Sequence, residues 1–121
     1  MSTTTKAGYT LQTSTNNAAG NTTTGSSLDL RTGFGMLVTA KISNGAIGPT
    51  KGCRFTLEIS SDGSDWDVYS EQIAGTDNNA EYTFTVNIPG TVMYLRSQFS
   101  GNTDEAVSVE AKGQAITNVG E

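Results

Sequence analysis

The chain has 121 residues, enough for one domain with one core, and it is rich in Thr (19) and Gly (14) with only two Pro. Its formal charge of −5, with seven Lys and Arg scattered from Lys6 to Lys112, argues against nucleic-acid binding, which needs clustered cations. There is no His and a single Cys, Cys53, so His-based triads, the usual zinc, copper and iron sites and an internal disulfide all fall away.

Of the first 27 residues, 22 are Ser, Thr, Asn, Gly or Ala. Tyr9 and Leu11 alternate with polar neighbours and suit a short edge strand, but Thr13–Ser27 has no apolar side chain larger than Ala. Such a segment buries little by itself, so residues 1–25 are expected to be a flexible arm, with the folded domain running over 26–121. The opening MSTTTKAGYT lacks the apolar stretch of a signal peptide. The longest apolar run, Met36-Leu37-Val38, is far too short for a membrane helix, so synthesis and folding in a cytoplasm are expected, with no membrane partner.

From Ser26 the pattern tightens. Leu28 and Leu30 alternate with polar residues, and Gly33 and Gly35 mark a break. Met36, Val38, Ala40 and Ile42 then share one strand face as far as Asn44-Gly45. Cys53, Phe55, Leu57 and Ile59 repeat the alternation and lead to Asp62-Gly63, a two-residue hairpin signal of the type I′ kind. Trp66 and Val68 follow at strand spacing. Beyond the polar loop Gly75–Asn79, Tyr82, Phe84, Val86 and Ile88 give the cleanest alternation, closed by Pro89-Gly90. Met93, Leu95, Ser97 and Phe99 form the inward face of the next strand, with Val92, Tyr94, Arg96 and Gln98 outward. Val107, Val109 and Ala111 begin the last, which Ile116 extends past Gly113. Seven to eight strands with a turn about every ten residues predict an all-β, antiparallel, jelly-roll-like sandwich. A charge at Phe55 or Phe84 should unfold it, whereas Thr85 should tolerate one.

Chemistry is sparse. Cys53 lies on an inward face and reads as a small buried hydrophobe. Asp62, Asp65 and Asp67 are the best candidates for calcium, yet their spacing departs from an EF-hand and a solvated acidic loop is the plainer reading. Asp77 with Glu81 and Asp104 with Glu105 are weaker pairs, and no cleft or pKa signal supports glycoside hydrolysis by any of them. No phosphate loop or dinucleotide fingerprint occurs. The expectation is a non-enzyme with no catalytic, cofactor-binding or metal residues. Trp66, Tyr69, Tyr82 and Tyr94 would stack on sugar rings if they formed an exposed row, but packing roles are the simpler expectation. Arg96 suits a cross-sheet ion pair.

The stretch Ser26–Gly101 resembles the capsid decoration, or cement, proteins of tailed bacteriophages. The likeness rests on Ser27-Leu28-Asp29-Leu30 with Gly33-Phe34-Gly35-Met36-Leu37-Val38, on Leu57–Trp66, and on Met93-Tyr94-Leu95-Arg96 with Gly101. It implies a virion structural protein, made in the host cytoplasm, that sits on the capsid surface and clamps neighbouring capsomers. Its partner would be the major capsid protein, its state a homotrimer at a local three-fold axis. Residues 1–27 would be the docking arm, with the loops Asn44–Lys51 and Gly75–Asn79 as further contacts. The alternative is a receptor- or carbohydrate-binding module of a phage tail or fibre, whose partner would be a surface glycan.

Overall fold

The period of two running through the chain is realised as nine strands in a computed structural model, which describes residues 4–119. They are β1 (Thr4–Asn17), β2 (Thr23–Thr24), β3 (Leu28–Asp29), β4 (Met36–Asn44), β5 (Arg54–Ser60), β6 (Asp67–Ile73), β7 (Glu81–Ile88), β8 (Tyr94–Ser100) and β9 (Val107–Val119). No helix occurs among the described residues. Sheet one has the order β1-β9-β4-β7, and sheet two the order β2-β8-β5-β6 with β3 also paired to β8. All pairings are antiparallel. With β2 and β3 taken as one interrupted strand, the chain alternates between the sheets except at the β5–β6 hairpin, which is a jelly-roll-like sandwich.

The core lies between the sheets and is built by alternation. In β4 the residues Met36, Val38, Ala40 and Ile42 are buried while Leu37 and Lys41 between them are exposed. Sheet one contributes mostly Val, Ile and Ala; sheet two contributes Phe55, Leu57, Leu95 and Phe99. Phe55 and Phe99 are direct cross-strand partners, with ring centroids 5.2 Å apart. Each large side chain removed from water stabilises the fold by about 1.5–3 kcal/mol.

The flexible arm expected over residues 1–25 is not what is found. From Thr4 to Asn17 the chain is the edge strand of sheet one, paired along β9 from Thr4↔Val119 to Asn17↔Val107. Composition gave no warning, because two anchors do the work of a hydrophobic stripe. Leu11 is buried in the core, and Asn17 is fully buried with Asn102. Asn17 Nδ2 donates to Asn102 Oδ1 (2.6 Å), Asn17 Oδ1 accepts from Thr23 Oγ1 (2.7 Å), and Asn102 Nδ2 donates to the Asn17 and Glu105 carbonyls (3.1 and 2.9 Å). A buried polar network this well satisfied holds a strand end without apolar help. The chain has joined sheet two at β2, and just beyond it the Gly25 amide donates to the Ser97 carbonyl (2.9 Å) where a Cβ would strike the Leu11 carbonyl oxygen. The boundary at residue 25 therefore divides nothing, and deleting residues 1–25 would remove a strand, not an appendage.

Two smaller expectations also shift. Asp62-Gly63 does not form a two-residue type I′ turn: of that pair only Gly63 has positive φ (82°), and the connection runs from Ser61 to Trp66. Asp62 organises it by accepting from the Ser64 and Asp65 amides (2.8 and 2.9 Å) and the Ser60 hydroxyl (2.9 Å). Before β8 the faces are swapped, with Val92 buried and Met93 39% exposed. The Val92 amide closes a turn onto the Pro89 carbonyl, so the strand phase begins only at Tyr94.

Candidate functional site

The acidic residues singled out in the sequence do not converge. Asp62 spends its acceptor capacity on its own loop, and its carboxyl is held well below the usual range, chiefly by the Asp65 and Ser64 amides and the Ser60 hydroxyl. Among the described residues no group of three or more Cys, Asp or Glu is placed to hold a metal ion. Glu81 lies 3.9 Å from Lys41 on the exposed face of sheet one, and Asp104 occupies a turn at φ 71°. Cys53 is buried, and burial pushes its thiol up to about 11, opposite to what a nucleophile needs.

The aromatic candidates separate into two places. Trp66 and Tyr94 share the outer face of sheet two, where cross-strand register builds a ladder of charge and ring. Glu58 and Arg96 are direct partners, with Arg96 Nε donating to Glu58 Oε1 at 2.8 Å, and the Arg96 guanidinium lies 4.3 Å from the Trp66 ring centroid. One step along, Asp29 is opposite Tyr94, and the Arg31 guanidinium sits 5.3 Å from the Tyr94 centroid while gripping Asp29 at 2.7 Å. The hydrogen bonds from Arg31 hold the Asp29 carboxyl down to about 2. One face of each ring is thus occupied by a cation, which leaves less aromatic surface for stacking on a sugar. Tyr69 and Tyr82 lie at the opposite, β6–β7 edge. The Tyr69 hydroxyl donates to the Asn87 carbonyl (3.2 Å), and Tyr82 Oη accepts from the Asp77 amide (3.4 Å).

The loops Asn44–Lys51 and Gly75–Asn79 come together at one end of the sandwich. Asn44 Nδ2 donates to the Gly75 and Asp77 carbonyls, and the Gly48 amide donates to Asn78 Oδ1 (2.8 Å). Ile47 stands exposed there.

At the other end of β4 is a feature the sequence reading passed over. Phe34, Leu37, Pro89 and Ile116, with Lys6, Asn87 and Gln114, line a groove of about 480 Å³ on the outer side of sheet one. Phe34 and Leu37 are 54% and 50% exposed, apolar groups that stand with Ile116 on a face whose other strand residues are mostly Thr, Ser, Asn, Gln, Lys and Glu. The groove is pre-shaped by backbone: the Phe34 amide donates to the Ile116 carbonyl (2.8 Å) and the Ile116 amide to the Gly35 carbonyl (3.0 Å). Gly35 makes the approach possible at φ 112°, a region an L side chain rarely enters. The signal was present in β4 itself, where Leu37 breaks an outward series otherwise composed of Thr39, Lys41 and Ser43.

No protein-family model matches the chain, and no curated protein does. Solved structures do share the fold. The K3 adhesin domain of Lys-gingipain from Porphyromonas gingivalis aligns at TM-score 0.55 and 17% identity over 81% of this chain, which spans 65% of that one. The SPBc2 prophage-derived protein YomS aligns at TM-score 0.51 and 14% identity over 94% of this chain and 95% of its own. VP2 of infectious bursal disease virus, as a subviral particle, aligns at TM-score 0.57 and 12% identity over 93% of this chain and 32% of the VP2 chain. At identities this low the likeness establishes the fold alone: a sandwich that adhesin, prophage and viral particle proteins also use.

Proposed function

We propose that this protein is a structural component of a phage particle, a decoration protein that docks on the assembled head and stabilises contacts between capsomers. The observation that carries the reading is the rigid apolar groove around Phe34 and Leu37, an exposed binding feature on an otherwise polar sheet face. An apolar side chain of the major capsid protein seated there would bury the exposed half of both residues, each contributing about 1 kcal/mol. Repetition over a symmetric shell multiplies a contact of that size, and binding only the assembled state stabilises it by mass action. The kinship of fold with prophage and viral particle proteins supports the same reading, as does the sequence resemblance to cement proteins. The work of the protein is then geometric, done on the outer surface of the head.

The test is co-sedimentation of the purified protein with empty heads. Wild type should pellet with the shells, and Phe34→Ser with Leu37→Ser should stay in the supernatant while keeping a wild-type circular dichroism spectrum. Equal pelleting of wild type and the double variant would remove the groove from the argument. Binding to a glycan array that disappears in Trp66→Ala would instead favour a receptor-binding role on a tail or fibre.

A further inference from the structure

A sheet edge offers unpaired amides and carbonyls to any extended chain, and folded proteins blunt such edges with bulges, charges or brevity. Three of the edges here are treated that way. β1 carries three register irregularities along β9, β6 carries one at Leu57/Glu58, and β2 and β3 are two residues each. β7 is different. From Glu81 to Ile88 it pairs with β4 in unbroken register, Met36↔Ile88 through Ser43↔Glu81, and no strand of this chain lies on its other side among the described residues. Its one charged residue, Glu81, stands at its end, and its core-facing Tyr82, Phe84 and Val86 are only half-buried. The Tyr69 hydroxyl covers the Asn87 carbonyl and thereby guards one end of the edge, not its centre.

We infer that β7 is a self-association edge, pairing antiparallel with β7 of a second copy of this chain to extend sheet one across a two-fold axis. Self-complementarity selects this occupant. Antiparallel pairing centred on Phe84 or on Thr85 sets core-facing residues against core-facing residues, so Tyr82, Phe84 and Val86 of one copy lie against core-facing residues of the other, and Thr85 meets Thr83 or its own counterpart on the outer face. It also carries the two Glu81 carboxylates to opposite ends, whereas parallel in-register pairing would place them side by side. The contact is isologous and closes at two copies, in contrast to the three-fold state that the cement resemblance implies. The edge meets the groove only at Asn87 and Ile88, and the pairing does not use Phe34 or Leu37.

Light scattering on a size-exclusion column over a concentration series reads the mass directly. Wild type should approach twice the 12.6 kDa chain mass, and Val86→Lys, which plants a charge on the half-buried face of the edge, should return it to one chain mass. A cysteine test that leaves the half-buried face intact stands beside it. Opposed residues in an antiparallel pair lie roughly 4.5–5.5 Å apart at Cα, within disulfide reach. Oxidised Thr85→Cys, or a mixture of Thr83→Cys with Thr85→Cys, covers the two central registers and should give a covalent dimer. The parent with only buried Cys53, and Thr39→Cys on the interior strand β4, should not. A single-chain mass at every concentration without cross-links overturns the inference, as does a three-chain mass or cross-linking at Thr39→Cys equal to that at Thr85→Cys.

Discussion

Phe55→Ala is the most informative perturbation of the fold. Phe55 in β5 and Phe99 in β8 are direct partners, 1% and 0% exposed, stacked at 5.2 Å with planes 30° apart. Truncating a ring so enclosed costs about 3–5 kcal/mol in lost transfer and residual cavity. A domain of this length holds roughly 6–18 kcal/mol in total, at about 0.05–0.15 kcal/mol per residue, so the variant should fold but with much of its margin gone. In urea, with a slope of about 1–3 kcal/mol per molar, its midpoint should fall by about 2 M. Phe99→Ala should behave alike. The double variant should lose less than the sum of the two by about 0.5–1.5 kcal/mol, because the stacking term is counted in both single losses. Equilibrium unfolding followed by circular dichroism measures all four proteins. A loss below about 1 kcal/mol for Phe55→Ala, or strict additivity, would refute the placement of the two rings at the centre of the core.

Other consequences follow from the same geometry. Arg96→Ala removes the guanidinium from Trp66 and leaves the mostly buried Glu58 carboxylate without its partner, so it should destabilise by about 2 kcal/mol and alter the Trp66 emission spectrum; an unchanged spectrum counts against the stack. Asp29, held at about 2, and Asp62, held below the usual range, have folded values beneath the unfolded value of about 3.9. Their contribution is complete above the unfolded value and fades as pH falls through the folded ones. The melting temperature should therefore drop between about pH 4 and pH 2, less steeply in Asp62→Asn. Cys53, with its thiol at about 11, should resist a thiol reagent at pH 8 in the native protein and react at once in urea; fast native labelling would place it at the surface. Gly25→Ala should destabilise strongly, because its Cβ would meet the Leu11 carbonyl and lie 2.7 Å from Ser97 Oγ; a neutral melt would show that the segment after β2 can shift.

Alternation made the middle of the chain legible. β4, β7 and the body of β8 follow the alternation read from the pattern, because each has a row of apolar residues that only one register can bury; β5 follows it at Phe55 and Leu57, whereas Thr56 and Ser60 are also buried and Ile59 is half-buried. Phe84 is the partial exception: it faces the core, but an edge strand leaves it half-covered, so a charge there should be milder than at Phe55. β1 was legible only at Tyr9 and Leu11, which suit the edge strand found there, and its length was hidden for the opposite reason. Its pairing is mostly backbone, its one large core residue is Leu11, and its far end is fixed by amide side chains that read as disorder in a composition. The groove escaped because it joins Lys6, Phe34, Leu37, Pro89 and Ile116, residues far apart in the chain. The paired rings and guanidinia of sheet two required the register Glu58↔Arg96 and Asp29↔Tyr94, which no local spacing reveals.

The position of β9 bears on how the protein is made. It lies inside sheet one, with β1 on one flank and β4 on the other, yet it leaves the ribosome after both. Until it arrives, the N-terminal strand has nothing to lie against and one side of β4 stays open, so the growing chain presents two pairing-competent surfaces at once. Closure is then a late, long-range step that joins the earliest residues to the most recent, a topology that folds slowly. The Thr, Asn and Ser of the leading segment acquire a purpose in that interval: they keep a waiting strand soluble while it lacks its neighbour.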